Sequence, residues 1–148
     1  MQQMMIQIIM AFIGVVGFSI MFNIHGHKVI FIGIGGAICW VSYTIILGIC
    51  GDKVISCFAV TVLIAMLAEI FARIFKTPVI LLLVPMLVPL MPGSDLYYMM
   101  SAMVLGNTES GRSLALLLAG EAGAIAFGII IVTTVTQITV RTLQYITR

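Results

Sequence analysis

Charge is scarce in this chain. Of its 148 residues only 8% are Asp, Glu, Lys or Arg, while 62% are hydrophobic and the mean hydropathy is +1.27. Soluble domains carry about 25% charged residues, so a water-soluble domain is excluded and an integral membrane protein is indicated. The net charge of +2 is small, and no basic run interleaved with aromatics occurs, which removes nucleic acid as a partner. Cysteine is sparse too. Cys39, Cys50 and Cys57 are odd in number, fall in or beside apolar stretches and show no CxxC spacing, so they imply neither a disulfide framework nor a metal centre. They read as small buried hydrophobes. Catalytic constellations are missing as well: no Ser/His/Asp set, no HExxH and no acids paired on facing positions. Neither catalytic residues nor a cofactor is expected, and the chain does not read as an enzyme.

Long apolar runs fill the rest. A membrane span takes about 20 predominantly apolar residues. Such runs lie at residues 4–22, 29–48, 54–71 and 114–135, and a fourth, irregular one at 79–105 is broken at 92–95. The first has no Lys or Arg ahead of it and no cleavage motif behind it, so it reads as a retained span rather than a signal peptide. The loops are short. The expectation is a single all-α membrane domain, residues 1–148, of about five transmembrane helices with the fourth discontinuous at a Pro/Gly break. If that fourth segment crosses once, Lys28, Arg73, Lys76, Arg141 and Arg148 share one side and only Lys53 and Arg112 face the other. A re-entrant segment gives a more even split. The positive-inside rule favours the lopsided one, a multi-pass protein of the cell membrane with its N-terminus outside and its C-terminus in the cytoplasm.

Small residues recur on two helices. Gly33, Gly35 and Gly36 stand near Trp40 in the second segment, and Gly120, Ala124 and Gly128 recur every fourth residue in the fifth, with Ala119 and Gly123 forming a second row. Such rows let membrane helices approach closely. Glu121 lies among them, about two turns inside apolar sequence. A carboxylate there costs at least ~2.5 kcal/mol on insertion scales unless it faces protein or water. Glu121 is therefore the candidate for proton coupling, with a structural polar contact as the plainer reading. Glu69 and Arg73, four apart, read as an ion pair on one helix face. His25 and His27 make a weak metal signal without a third ligand and read as interfacial residues.

The break itself is the stretch VPMLVPLMPGSDLYYMM, residues 84–100. Pro85, Pro89, Pro92 and Gly93 each weaken or end a helix. Non-helical backbone is tolerated at membrane depth only where protein buries it or water reaches it. A second half-helix beginning near Asp95, with Ser94 as its N-cap, would present free backbone N–H groups and the positive end of a helix dipole to an anion. Discontinuous transporter helices hold substrates in this way. The candidate substrate site is Pro89, Pro92, Gly93, Ser94, Asp95 and Tyr97. Ser94 and Tyr97 would offer hydroxyls, and Asp95 would take the ammonium group of an amino acid in preference to a dicarboxylate.

RIFKTPVILLLVPMLVPLMPGSDLYYMM resembles the Arg, Pro, hydrophobic run, Pro-Leu-x-Pro-Gly, Tyr pattern of the threonine/serine exporter family, at Arg73, Pro78, Pro85, Pro89, Leu90, Pro92, Gly93, Tyr97 and Tyr98. Phe22, Asn23, Gly36 and Trp40 hold comparable places upstream, while His25 and Gly26 stand where the family often has proline. The resemblance covers nearly the whole chain. It implies a short stand-alone subunit similar to the second half of full-length exporters, working with a larger membrane subunit that carries the other half. A homo-oligomer is the other arrangement considered. The implied function is secondary export of a small molecule, threonine, serine or a related organic acid such as succinate, in contact with membrane lipid. The contrasting reading is a non-transporting scaffold or regulatory subunit of a partner membrane protein, which would need neither a broken helix nor a buried glutamate.

Overall fold

A computed structural model describes residues 2–146 and is helical nearly throughout. Its elements are α1 (Gln2–Met21), α2 (Lys28–Cys50), α3 (Lys53–Phe75), α4 (Val79–Leu87), a 3₁₀ turn (Val88–Leu90), α5 (Gly93–Val104) and α6 (Thr108–Ile146). Arg148 and the Arg141 side chain, both used in the charge count, lie outside the described residues.

Local chemistry sets most of the boundaries. Helix α2 stops where Gly51 enters the left-handed region at φ 69°, its N–H returning to the Leu47 carbonyl. One residue later Asp52 caps α3, its carboxylate accepting from the Val54 and Ile55 amides at 2.7 and 3.2 Å. Helix α3 ends with Lys76 at φ 49° and the Thr77 N–H on the Ala72 carbonyl. Helix α6 runs to 39 residues, well past the apolar segment that ends near residue 135. In its Thr-rich tail Thr133, Thr136, Thr139 and Thr142 each donate their hydroxyls to the carbonyl four residues back, which satisfies these groups within the helix.

Helix α3 is central, packing on α2, α4 and α6. Its Val60, Ile64, Ala65 and Ala68 are buried together with Leu82, Leu83 and Met86 of α4, whereas large apolar side chains on the outer faces stand exposed as a lipid-facing coat. The small residues act as the sequence implies. A side chain on Gly36 would run into Val15 of α1, and one on Gly35 would meet Met86 of α4 at 2.8 Å, so α2 is wedged between those two helices. On α6, Gly120 sits against Val54 and Gly128 against Thr61.

That last pair fixes the topology. Residues 120 and 128 advance in the same direction as 54 and 61, so α6 runs parallel to α3. The chain between them must therefore pass from one end of the bundle to the other. Helices α4 and α5 make that passage as one broken crossing, bent by 55°, with α4 packed on α2 and α3 and α5 packed along α6. With the bent pair counted as one span, five segments among the described residues are long and apolar enough to cross a membrane. The first described helix begins at one end of the bundle, and α6 finishes at the other.

The break lies near mid-depth. Helix α3 has 23 residues, about 34 Å at ~1.5 Å each, while α4 and its 3₁₀ turn reach only about half as far before the chain bends.

Candidate functional site

Three prolines shape the break in sequence. Pro85, inside α4, has no N–H to give, and Pro89 falls in the 3₁₀ turn that tightens the end of the half-helix. The Met91 N–H closes on the Val88 carbonyl at 3.2 Å, and Met91 itself is extended. Pro92 then stands at the N-cap of α5 with no side chain to cap it. The Gly93 N–H goes to Met91 O and the Leu96 N–H to Pro92 O, so no carbonyl of the break takes the amides of Ser94 and Asp95. These are the unpaired donors that any helix start presents.

The expected start shifts by two residues. Helix α5 begins at Gly93 rather than near Asp95, and Ser94 lies inside it instead of capping it. The fixed φ of Pro92 already sets the entry, and Ser94 is one of the first-turn residues whose amide needs a cap rather than the residue that supplies one. Gly93 is not held by close packing either: nothing lies within 4 Å of a Cβ built there, and its φ is not in the left-handed region.

A cavity of about 90 Å³ opens at the bend. Trp40 and Tyr43 of α2, Lys53 and Cys57 of α3, Pro89 and Leu90 of the 3₁₀ turn, Met91, Pro92, Ser94 and Asp95 of the break, and Glu121 of α6 line it. Four of the six residues expected to form a substrate site, Pro89, Pro92, Ser94 and Asp95, are thus brought together, and Glu121 joins them. Gly93 is beside the cavity but not in its wall. Tyr97 faces away, 68% exposed and edge-on to Tyr98. The reason is helical geometry: two residues from Asp95 turn a side chain to the far face of α5.

The Lys53 ammonium holds the Asp95 carboxylate through both oxygens, at 3.0 and 2.8 Å. Asp95 is 9% exposed, and the pair ties the start of α5 to the start of α3. Glu121 is buried to 2% exposure, and its Oε2 has no hydrogen-bond partner among the described residues. Asp95 and Lys53 line the same cavity as Glu121. The site therefore sets two carboxyl groups against one ammonium beside a helix start, in a wall completed by Ser94, Leu90 and aromatic, proline and sulfur-bearing side chains. That arrangement offers a cationic and an anionic group side by side at the bend.

Lys53 is the residue that sequence reasoning missed, having read it only as a marker of sidedness. A lone Lys at one end of an apolar helix and a lone Asp in a broken one were the available signal, since each lacks a partner on its own helix. Trp40, read as packing against glycines, does sit on the glycine-rich helix but also lines the cavity, with its Nε1 donating to Gln7 Oε1 at 3.4 Å. Cys57 is buried as expected and shares the same wall.

Glu69 and Arg73 are paired at 3.8 Å near the opposite end of α3. Arg73 is largely exposed, so the contact contributes at most about 1 kcal/mol. His25 and His27 point elsewhere than at a shared ligand: His25 Nδ1 lies 2.9 Å from the Asn23 carbonyl, and His27 stacks against Phe75.

A family model described as Threonine/Serine exporter, ThrE, matches residues 7–135, a stretch that contains every residue of the cavity wall. No curated protein and no solved structure matches the chain. With most of its length inside the family match and its apolar helices arranged around a broken crossing, the chain is a multi-pass membrane protein that belongs to the threonine/serine exporter, ThrE, family and has a transport role of that type.

Proposed function

We propose that this chain is one component of a two-subunit secondary exporter, and that its substrate binds at the break between α4 and α5. The observation that carries the reading is the Lys53–Asp95 ion pair at a helix start within the bundle. An amino acid zwitterion has the charges needed to part that pair. Its carboxylate would take the Lys53 ammonium together with the free Ser94 and Asp95 amides, and its ammonium would take Asp95. The Ser94 hydroxyl then lies near a substrate hydroxyl, which favours threonine and serine. A dicarboxylate such as succinate has no cation to offer Asp95 or Glu121 and is disfavoured unless both are protonated.

Size supports the need for a companion. Small-molecule sites usually enclose ~300–1,000 Å³, against about 90 Å³ here. An apolar groove along α3 and α6, walled by Ile55, Phe58, Gly123 and Phe127, leaves a face of the bundle open to a helix from a larger subunit carrying the complementary half. The end bearing Lys28, Arg73 and Lys76 faces the cytoplasm in this reading, which places the Lys53 end outside.

Efflux of labelled threonine, serine and succinate from cells producing this chain alone, the companion alone, or both tests the proposal. Threonine and serine efflux is expected only with both. Efflux from this chain alone would remove the two-subunit arrangement, and equal succinate efflux would remove the zwitterion site.

A further inference from the structure

Glu121 stands outside the Lys53–Asp95 ion pair. It is one of the largest fully buried side chains in the molecule, and its Oε2 receives no hydrogen bond. The ammonium that could have served it is already held by both oxygens of Asp95. An ionised carboxylate needs donors around it, whereas a carboxylic acid needs fewer and brings its own. The titratable groups that share the cavity wall with Glu121 come from three other helices: Lys53 and Cys57 from α3, Asp95 from α5 and Tyr43 from α2. Only Lys53 among them is a cation. With one proton on Glu121 the cluster of Lys53, Asp95 and Glu121 is neutral; without it, two negative charges compete for one ammonium on two different helices.

We propose that Glu121 is a proton-binding site, clustered with Asp95 and Lys53, and that its proton keeps α5 closed against α3 and α6. The idea rests on the exporter reading for its purpose but not for its test. When the proton leaves, the Lys53 ammonium is drawn partly toward Glu121 on α6, its hold on Asp95 weakens, and the start of α5 is freed to move at the break. The proton travels to and from water at the Lys53 end of the bundle, so each opening releases one proton and each closure takes one up. A proton and a substrate cation then exclude each other at one pair of carboxyls, which is the linkage an antiporter needs.

The chain carries a built-in reporter. Trp40 is its sole tryptophan and lines the same cavity as Glu121. Purified chain in lipid nanodiscs, with no substrate added, should show a single transition in Trp40 emission as pH is scanned from about 4 to 9. The transition should be lost in Glu121→Gln and kept in Glu69→Gln, whose carboxyl pairs with Arg73 far from the cavity. Persistence of the transition in Glu121→Gln, or its absence in the wild type, overturns the proposal. Should Glu121→Gln fail to fold, infrared spectra of the wild-type protein decide: a protonated-carboxyl band that vanishes as pH rises supports the site, and no such band refutes it. Titration of Glu121 in a chain whose partnered complex exports nothing would leave the proton site standing and remove the exporter reading.

Discussion

Lys53→Met should abolish export. The substitution keeps the side chain out to its fourth heavy atom and deletes the ammonium, leaving Asp95 and Glu121 with no cation in the cavity wall. Two losses follow. The substrate carboxylate loses its partner, and truncating one member of a desolvated charge pair costs about 2–5 kcal/mol, roughly 30-fold or more in affinity. The fold loses the tie between α3 and α5. Breaking a fully buried pair costs ~3–5 kcal/mol, but the Lys53 side chain is 39% exposed, so about 2 kcal/mol is expected. The double variant Lys53→Met with Asp95→Asn removes the stranded charge and should recover thermal stability without recovering efflux. Measuring both quantities on both variants separates the roles. If Lys53→Met exports at the wild-type rate, the pair is only a structural clamp.

Removing the bend should be nearly as damaging while leaving the protein abundant. Pro89→Ala with Pro92→Ala restores two amide donors and relieves about 3 kcal/mol per proline of helix-breaking preference. The two half-helices then have reason to join. Straightening a 55° bend would swing the start of α5 away from Lys53 and dissolve the cavity, since Pro89, Leu90, Met91 and Pro92 form one wall of it. Efflux is expected to fall at least about tenfold, the effect of ~1.4 kcal/mol, while the membrane level stays at or above wild type. Normal efflux from the double alanine variant would show that the break is not the substrate site.

What could be read from the sequence divides along physical lines. The apolar runs and the clustered prolines act locally, so the break in the fourth segment was legible from them alone. The glycine rows were equally legible, because close approach requires a missing side chain wherever the partner lies. Glu121 could be singled out since charge in apolar sequence is costly in any fold. Pairings between distant segments were not legible. Lys53 and Asp95 are 42 residues apart, and no local pattern joins them. The single crossing of residues 79–104 was favoured only by the lopsided split of basic residues, because the parallel run of α6 and α3 that requires it joins distant segments. The outward turn of Tyr97 could have been anticipated from helical spacing, but only after Gly93 was known to start α5.

The central claim is that water and substrate reach a broken helix inside the bundle, and labelling at Ser94 tests it most directly. Ser94→Cys is placed in a chain whose exposed Cys50 and cavity-lining Cys57 are replaced by Ala. A membrane-impermeant maleimide is then applied from each side in turn, with the companion subunit present. The account predicts reaction from the Lys53 side, slowed by threonine or serine and not by succinate. It also predicts that adding Lys53→Met removes the protection. A cysteine at 94 that no reagent reaches from either side, or one that reacts at the same rate whatever substrate is present, would contradict it.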